Sequence, residues 1–144
     1  ETKRALVVID LDTVMPGVVG HDFGDAIRFA ANFVEEDCSQ PEKAGVDLEV
    51  FEAFADGFLK NTAAALTRTE IDTLAQSCLA LTAELSVRFL DDYIQGDPYF
   101  KINYPEHNLV RSRCQIALAK DMERKMDAMD AIVHDCAAKY LGVQ

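Results

Sequence analysis

A single apolar run, Ala5-Leu-Val-Val-Ile9, is the only stretch of this chain that reads as a β-strand. Nearly everything after it carries helical periodicity. That asymmetry limits the fold more than any other feature. One strand cannot satisfy its own backbone, so it must complete a sheet supplied from elsewhere, while the rest builds a core of helix on helix. The run delivers Asp10-Leu-Asp12 to the mouth of a turn closed by Pro16-Gly17. A buried strand ending in Asp-x-Asp places carboxylates where a divalent metal and a phosphate can meet. Asp is also a common turn former, but two acids abutting an apolar strand exceed what a turn requires. Asp10 and Asp12 are the candidate metal ligands.

The 144 residues make one domain, with residues 1–14 as the strand segment and 15–144 as a helical body. The balance of 14 Lys+Arg against 25 Asp+Glu argues against nucleic acid or an anionic membrane as a partner. No apolar run approaches bilayer length and no signal-peptide pattern is present, so the expected location is the cytoplasm. Cys38, Cys78, Cys114 and Cys136 form no Cys-x-x-Cys pair and read mostly as small buried hydrophobes. His21, His107 and His134 share no metal-ligand spacing.

Asp22 is placed to cap a helix through about Val34, with Phe23, Ile27, Ala30, Phe33 and Val34 on its buried face. Residues 35–46 read as an exposed acidic connection. Asp47 caps a second helix with the stripe Leu48, Phe51, Phe54 and Phe58; Gly57 within it suggests close packing or an early end. Thr67-Arg-Thr-Glu70 is a capping box opening a helix that runs to Gln95 and stops at Gly96. Asn108 caps the last helix, whose seam is Cys114, Leu118, Met122, Met126, Met129, Val133, Cys136 and Tyr140.

The helix ending at Gln95 has the seam Ile71, Leu74, Cys78, Leu81 and Leu85, and the same spacing continues to Arg88 and Asp92. Charges on a core-facing stripe either pair with each other or face a cavity. In the second case Arg88 reaches a polar, oxygen-rich ligand, and Tyr99 closes over it after the Gly96-Asp-Pro98 turn. Arg111 and Arg113 oppose the dipole at a helix start, so they pair with acids or line a site.

Two phosphoryl chemistries compete for Asp10-Leu-Asp-Thr-Val14. A haloacid-dehalogenase-type phosphatase would use Asp10 as nucleophile and Asp12 as general acid, but needs further parallel strands. A kinase-like phosphotransferase ends an apolar strand in a metal-binding Asp and continues as a helical lobe, which the remainder of this chain fits. Asp22-Phe-Gly24 spells a kinase metal motif without the strand that should precede it, so Asp22 is a structural acid. A non-catalytic acidic helical interaction module is the third alternative.

Four blocks carry a more specific likeness: Val8-Ile-Asp-Leu-Asp-Thr-Val-Met-Pro-Gly17, His21-Asp-Phe-Gly-Asp-Ala-Ile-Arg28, Arg88-Phe-Leu-Asp-Asp-Tyr-Ile-Gln-Gly-Asp-Pro-Tyr-Phe-Lys101 and His107-Asn-Leu-Val-Arg-Ser-Arg113. Over nearly its whole length the chain resembles the N-acetylhexosamine 1-kinases of the aminoglycoside phosphotransferase and choline kinase superfamily, whose bacterial members are often labelled mucin desulfatases. The resemblance implies a mainly α fold, the helical C-terminal lobe of a protein-kinase-like phosphotransferase with one leading β-strand. It implies Mg²⁺ and ATP as cofactors, with Asp10 on the metal and Asp12 beside it. Arg88 and Tyr99 would hold the sugar substrate, and Asp22 would support the catalytic loop. The base aspartate, the second metal ligand and the nucleotide-binding N-terminal lobe would lie upstream of Glu1. No catalytic residue is then expected in this chain, and no activity from it alone. The leading strand, left without that lobe, is expected to pair with a second copy in a homodimer or to fray.

Overall fold

The computed structural model describes residues 7, 9, 11 and 14–141. Among them are five α-helices: α1 (Val19–Ala30), α2 (Leu48–Thr62), α3 (Arg68–Asp72), α4 (Leu74–Gln95) and α5 (His107–Leu141). The fold is mainly helical. α4 packs along both α1 and α5, and α2 lies on α5. Of the expected strand at 5–9, only Val7 and Ile9 are described. They belong to no strand and each is 76% exposed; the rest of that expectation lies outside the described residues. A dehalogenase-type phosphatase needs a parallel sheet, whereas the described residues form one isolated bridge, Asn32 to Val46. No described helix is long and apolar enough to cross a membrane.

α1 starts earlier and ends earlier than its periodicity suggests. Its N-cap is Val18, with no side-chain cap, and Asp22 sits exposed in the first turn, where its charge suits the helix dipole without capping it. The helix stops at Ala30 because the chain peels away to pair with residues 45–47. Phe33 N–H donates to the Gly45 carbonyl at 3.0 Å and Asp47 N–H to the Ala31 carbonyl at 2.8 Å. Phe33, expected on the buried face, is consequently 61% exposed. The connection expected to be exposed throughout instead buries Gly45 and Val46.

Close approach sets the α1–α4 crossing. A Cβ on Gly24 would sit 2.7 Å from the Ser77 carbonyl oxygen, and one on Gly20 would sit 2.8 Å from the Ser77 Cβ. Glycine at these two positions lets the helices touch nearly backbone to backbone. Phe23, between them, is fully buried against Phe51, Phe54 and Phe58 of α2, with ring centroids 5.1–6.0 Å away.

The caps of α2 and α3 follow the sequence. Asp47 accepts the N–H groups of Glu49 and Val50, and the Thr67–Glu70 capping box is complete. Gly57 has neither expected role: it is exposed in mid-helix, and an added Cβ would meet nothing within 4 Å. The long helix expected from 68 to 95 is interrupted at Thr73, whose hydroxyl donates to the Thr69 and Glu70 carbonyls. α5 is continuous for 35 residues. Its seam is buried as expected, with Met126 and Tyr140 partly covered. Cys78, Cys114 and Cys136 are buried free thiols within this packing.

Candidate functional site

The C-terminal end of α4 and the turn after it build the site. Gly96 adopts a left-handed conformation (φ 89°), its N–H bonding the Tyr93 carbonyl, while Asp97 N–H bonds the Asp92 carbonyl at 2.8 Å. This is a Schellman stop. Asp97 is itself left-handed (φ 59°), which Asp tolerates better than most residues. The chain therefore doubles back at once, bringing residues 98–100 beside the last turn of α4.

Asp92 holds that return. It is 5% exposed. One carboxylate oxygen accepts Tyr99 N–H at 2.9 Å; the other accepts Phe100 N–H and the Asn108 side-chain amide, each at 2.9 Å. Asn108 is not the expected helix cap. It lies inside α5, fully buried, and its amide donates to Asp97 as well as Asp92 while its oxygen accepts from Arg111.

Arg88 lies one turn before Asp92 but does not pair with it. Among the described residues its nearest acid is Glu84 at 3.6 Å, and its side chain is about half exposed, so that surface pair contributes little. The guanidinium instead sits over the Phe100 and Tyr99 rings, 5.5 and 5.8 Å from their centroids. Phe100 wedges against buried Phe89 at 4.7 Å, which fixes the aromatic platform from below. Tyr99 stands edge-on to Phe100 and is 74% exposed, so it is presented to solvent and not folded into the core. Arg88, Asp91, Asp92, Gln95, Pro98, Tyr99 and Phe100 line a small cavity of about 270 Å³. Gln95 donates to Asp91 at 2.7 Å in its exposed lining.

Arg88 and Tyr99, expected to share a pocket, thus meet at one. Asp10 and Asp12 lie outside the described residues, as does any cleft they share with Arg88. The described residues alone bring together no three His, Cys, Asp or Glu able to hold a metal. Asp22 is far along the sequence from this pocket, exposed at the start of α1. Of the two arginines at the head of α5, Arg111 lies 3.7 Å from Glu36 and stacks over Phe89 at 5.4 Å; Arg113 is exposed.

A larger cavity of about 830 Å³ lies between the end of α1 and residues 32–43. Most of its charges are engaged within the fold. Arg28 is held by Asp25 and Glu36, and Asp37 lies 3.0 Å from buried His107 Nε2. The Nδ1 of His107 accepts Asn103 N–H, so in the neutral ring it is Nε2 that donates to Asp37. That region is a structural clasp between residues 35–37 and α5. The smaller pocket presents the half-exposed Arg88 guanidinium and the exposed Tyr99 ring to solvent and is the better site.

Asp91, Gln95 and Phe100 were not singled out from sequence. The available signal was the turn itself: residues one helical turn before a Gly-Asp-Pro reversal must line whatever the returning loop covers. No family model matches the chain.

Proposed function

We propose that this chain is the sugar-holding helical lobe of a kinase that transfers the ATP γ-phosphate to the anomeric hydroxyl of an N-acetylhexosamine. The observation that carries the reading is the meeting of Arg88 and Tyr99 at one small pocket after a sharp helix stop. An exposed aromatic face suits the C–H face of a pyranose. A guanidinium suits an acetamide or hydroxyl oxygen, and the Asp91–Gln95 pair suits hydroxyl donors. The volume falls just below the range of drug-sized ligand sites, which starts at about 300 Å³, as suits one sugar ring held at an open surface. In this reading Asp10 and Asp12 hold the Mg²⁺ of the nucleotide, and the base comes from the catalytic loop upstream.

Titration calorimetry with N-acetylglucosamine and N-acetylgalactosamine, with glucose as control, tests the binding half. A coupled nucleotide assay on the full-length enzyme tests the transfer. Arg88→Ala and Tyr99→Ala are each expected to raise the sugar KM about tenfold or more while leaving the ATP KM near its original value. Unchanged sugar binding in both variants overturns the assignment.

A further inference from the structure

We propose that Asp92 is a positioning residue: with both carboxylate oxygens committed to Tyr99 N–H, Phe100 N–H and the Asn108 amide, it sets the place of Tyr99 against Arg88, and through Tyr99 sets sugar affinity. The proposal rests on the functional reading above and deepens it.

Helix energetics alone do not explain an acid at this place. The last turn of a helix carries partial negative charge from its free carbonyls and favours cations. Asp92 puts a carboxylate there and buries it. Arg88, one turn away, is turned toward the rings and not toward it. What compensates the burial is three donors, two of them the backbone N–H groups of Tyr99 and Phe100. With the Asp92 carbonyl accepting Asp97 N–H, one residue grips the returning chain at three points, residues 97, 99 and 100.

The consequence is geometric. Tyr99 is mostly exposed, and apart from its edge-on stack with Phe100 and the Arg88 guanidinium over its face its ring has little packing to hold it. Its location therefore depends on its own backbone N–H and that of its neighbour. Both end on Asp92. Asn108 completes the anchor from α5 and ties the carboxylate to Asp97, so the turn and the two long helices share one hydrogen-bonded node. A local rule is broken where a function would need it broken.

Asp92→Asn tests the proposal because it keeps the shape and replaces one acceptor oxygen by a donor. In the full-length enzyme it is expected to raise the sugar KM about tenfold, with the ATP KM and kcat within about twofold of wild type. The decisive comparison is in a Tyr99→Ala background, where the same substitution is expected to add less than about twofold, because the residue through which it acts is gone. An unchanged sugar KM in Asp92→Asn overturns the proposal, as does a full further loss in the Tyr99→Ala background. Amide hydrogen exchange separates this outcome from failure of the functional reading. If the wild-type protein binds no hexosamine, faster exchange at Tyr99 and Phe100 in Asp92→Asn still supports the anchor, and unchanged exchange overturns it. Should Asp92→Asn not fold, Asn108→Ser removes one of the three donors and is expected to raise the sugar KM about threefold, again only when Tyr99 is present; no change there overturns the anchor.

Discussion

Asp121 accepts the backbone N–H of Val46 at 2.8 Å, and Lys125, one turn further along α5, returns a bond to the Val46 carbonyl at 2.7 Å. A single buried residue of the loop is thus gripped at both of its backbone groups by one face of α5. Lys125 also pairs with Asp121 at 2.7 Å. Asp121→Ala leaves a buried N–H without an acceptor and is expected to cost about 2–3 kcal/mol. Denaturant unfolding measures it; a change within error would mean that residues 45–47 are held by packing alone.

Acid should loosen the fold at particular carboxylates. Asp72 is held below its ordinary range, chiefly by its bond to His134 Nε2 and also by Arg68. Burial alone would raise Asp121, but its bonds to Lys125, Val46 N–H and Arg124 outweigh that and leave it lowered. A carboxyl whose folded pKa lies below its unfolded value stabilises the protein fully above the unfolded value, about 3.9 for Asp. That stabilisation fades as pH drops through the folded pKa. Stability measured from pH 6 downward should therefore fall below about pH 4, and less steeply in Asp72→Asn. An identical acid limb in the variant would refute the linkage.

Glycines 24 and 57 should respond to alanine in opposite directions. Gly24→Ala drives a Cβ to 2.7 Å from a backbone oxygen of α4, which no rotamer change relieves, and should cost about 1–3 kcal/mol. Gly57→Ala fills open space on an exposed helix and should stabilise by about 0.5–1 kcal/mol. Melting temperatures of the two variants on either side of wild type are the expected result.

Thiol chemistry offers an independent check of the packing. Burial pushes Cys78 up to about 12 and raises Cys114 and Cys136 as well. Only Cys38 is partly exposed. A disulfide reagent at pH 8 should label about one thiol per folded chain quickly and the rest only on unfolding. Rapid labelling of Cys78 would contradict the α1–α4 crossing.

The apolar side chains ahead of α1 should drive association. Val7, Ile9, Val14 and Met15 are each at least 70% exposed, a surface that recruits a covering partner. Light scattering across a concentration series is expected to show a dimer of this chain, shifted toward monomer by Val7→Asp with Ile9→Asp. A monomer at every concentration would remove the dimer expectation.

What the sequence reveals here divides by distance along the chain. The Thr67–Glu70 box, the Asp47 cap and the Gly96 stop are each settled within a few residues, and each was readable. The α5 seam was readable because its period persists over many turns. The end of α1 was not. Periodicity runs on through Phe33 and Val34, but pairing with Val46, itself held by Asp121 75 residues later, pulls the chain off the helix. Asn108 departs from its expected role for a similar reason: Asn near a helix start looks like a cap, while its partners Asp92 and Asp97 are 16 and 11 residues away. Arg88 and Tyr99 could be named together because a helix stop followed by Asp-Pro has few places to go. The partner of Asp92 could not, since the i, i+4 spacing pointed to Arg88 and the structure gives the carboxylate to backbone.

The glycine crossing at Ser77 also makes a ruler. α4 carries both Ser77, against which Gly20 and Gly24 are pressed, and Arg88, eleven residues on and about 16 Å further along the axis. With no side-chain cushion between the two helices, there is little slack at the crossing. The separation between the start of α1 and the guanidinium of Arg88 is then set by a count of helical residues. Inserting or deleting a residue of α4 between Ser77 and Arg88 would change that length by about 1.5 Å and turn Arg88, together with the Tyr99 turn that Asp92 ties to the same helix, by about 100° relative to α1.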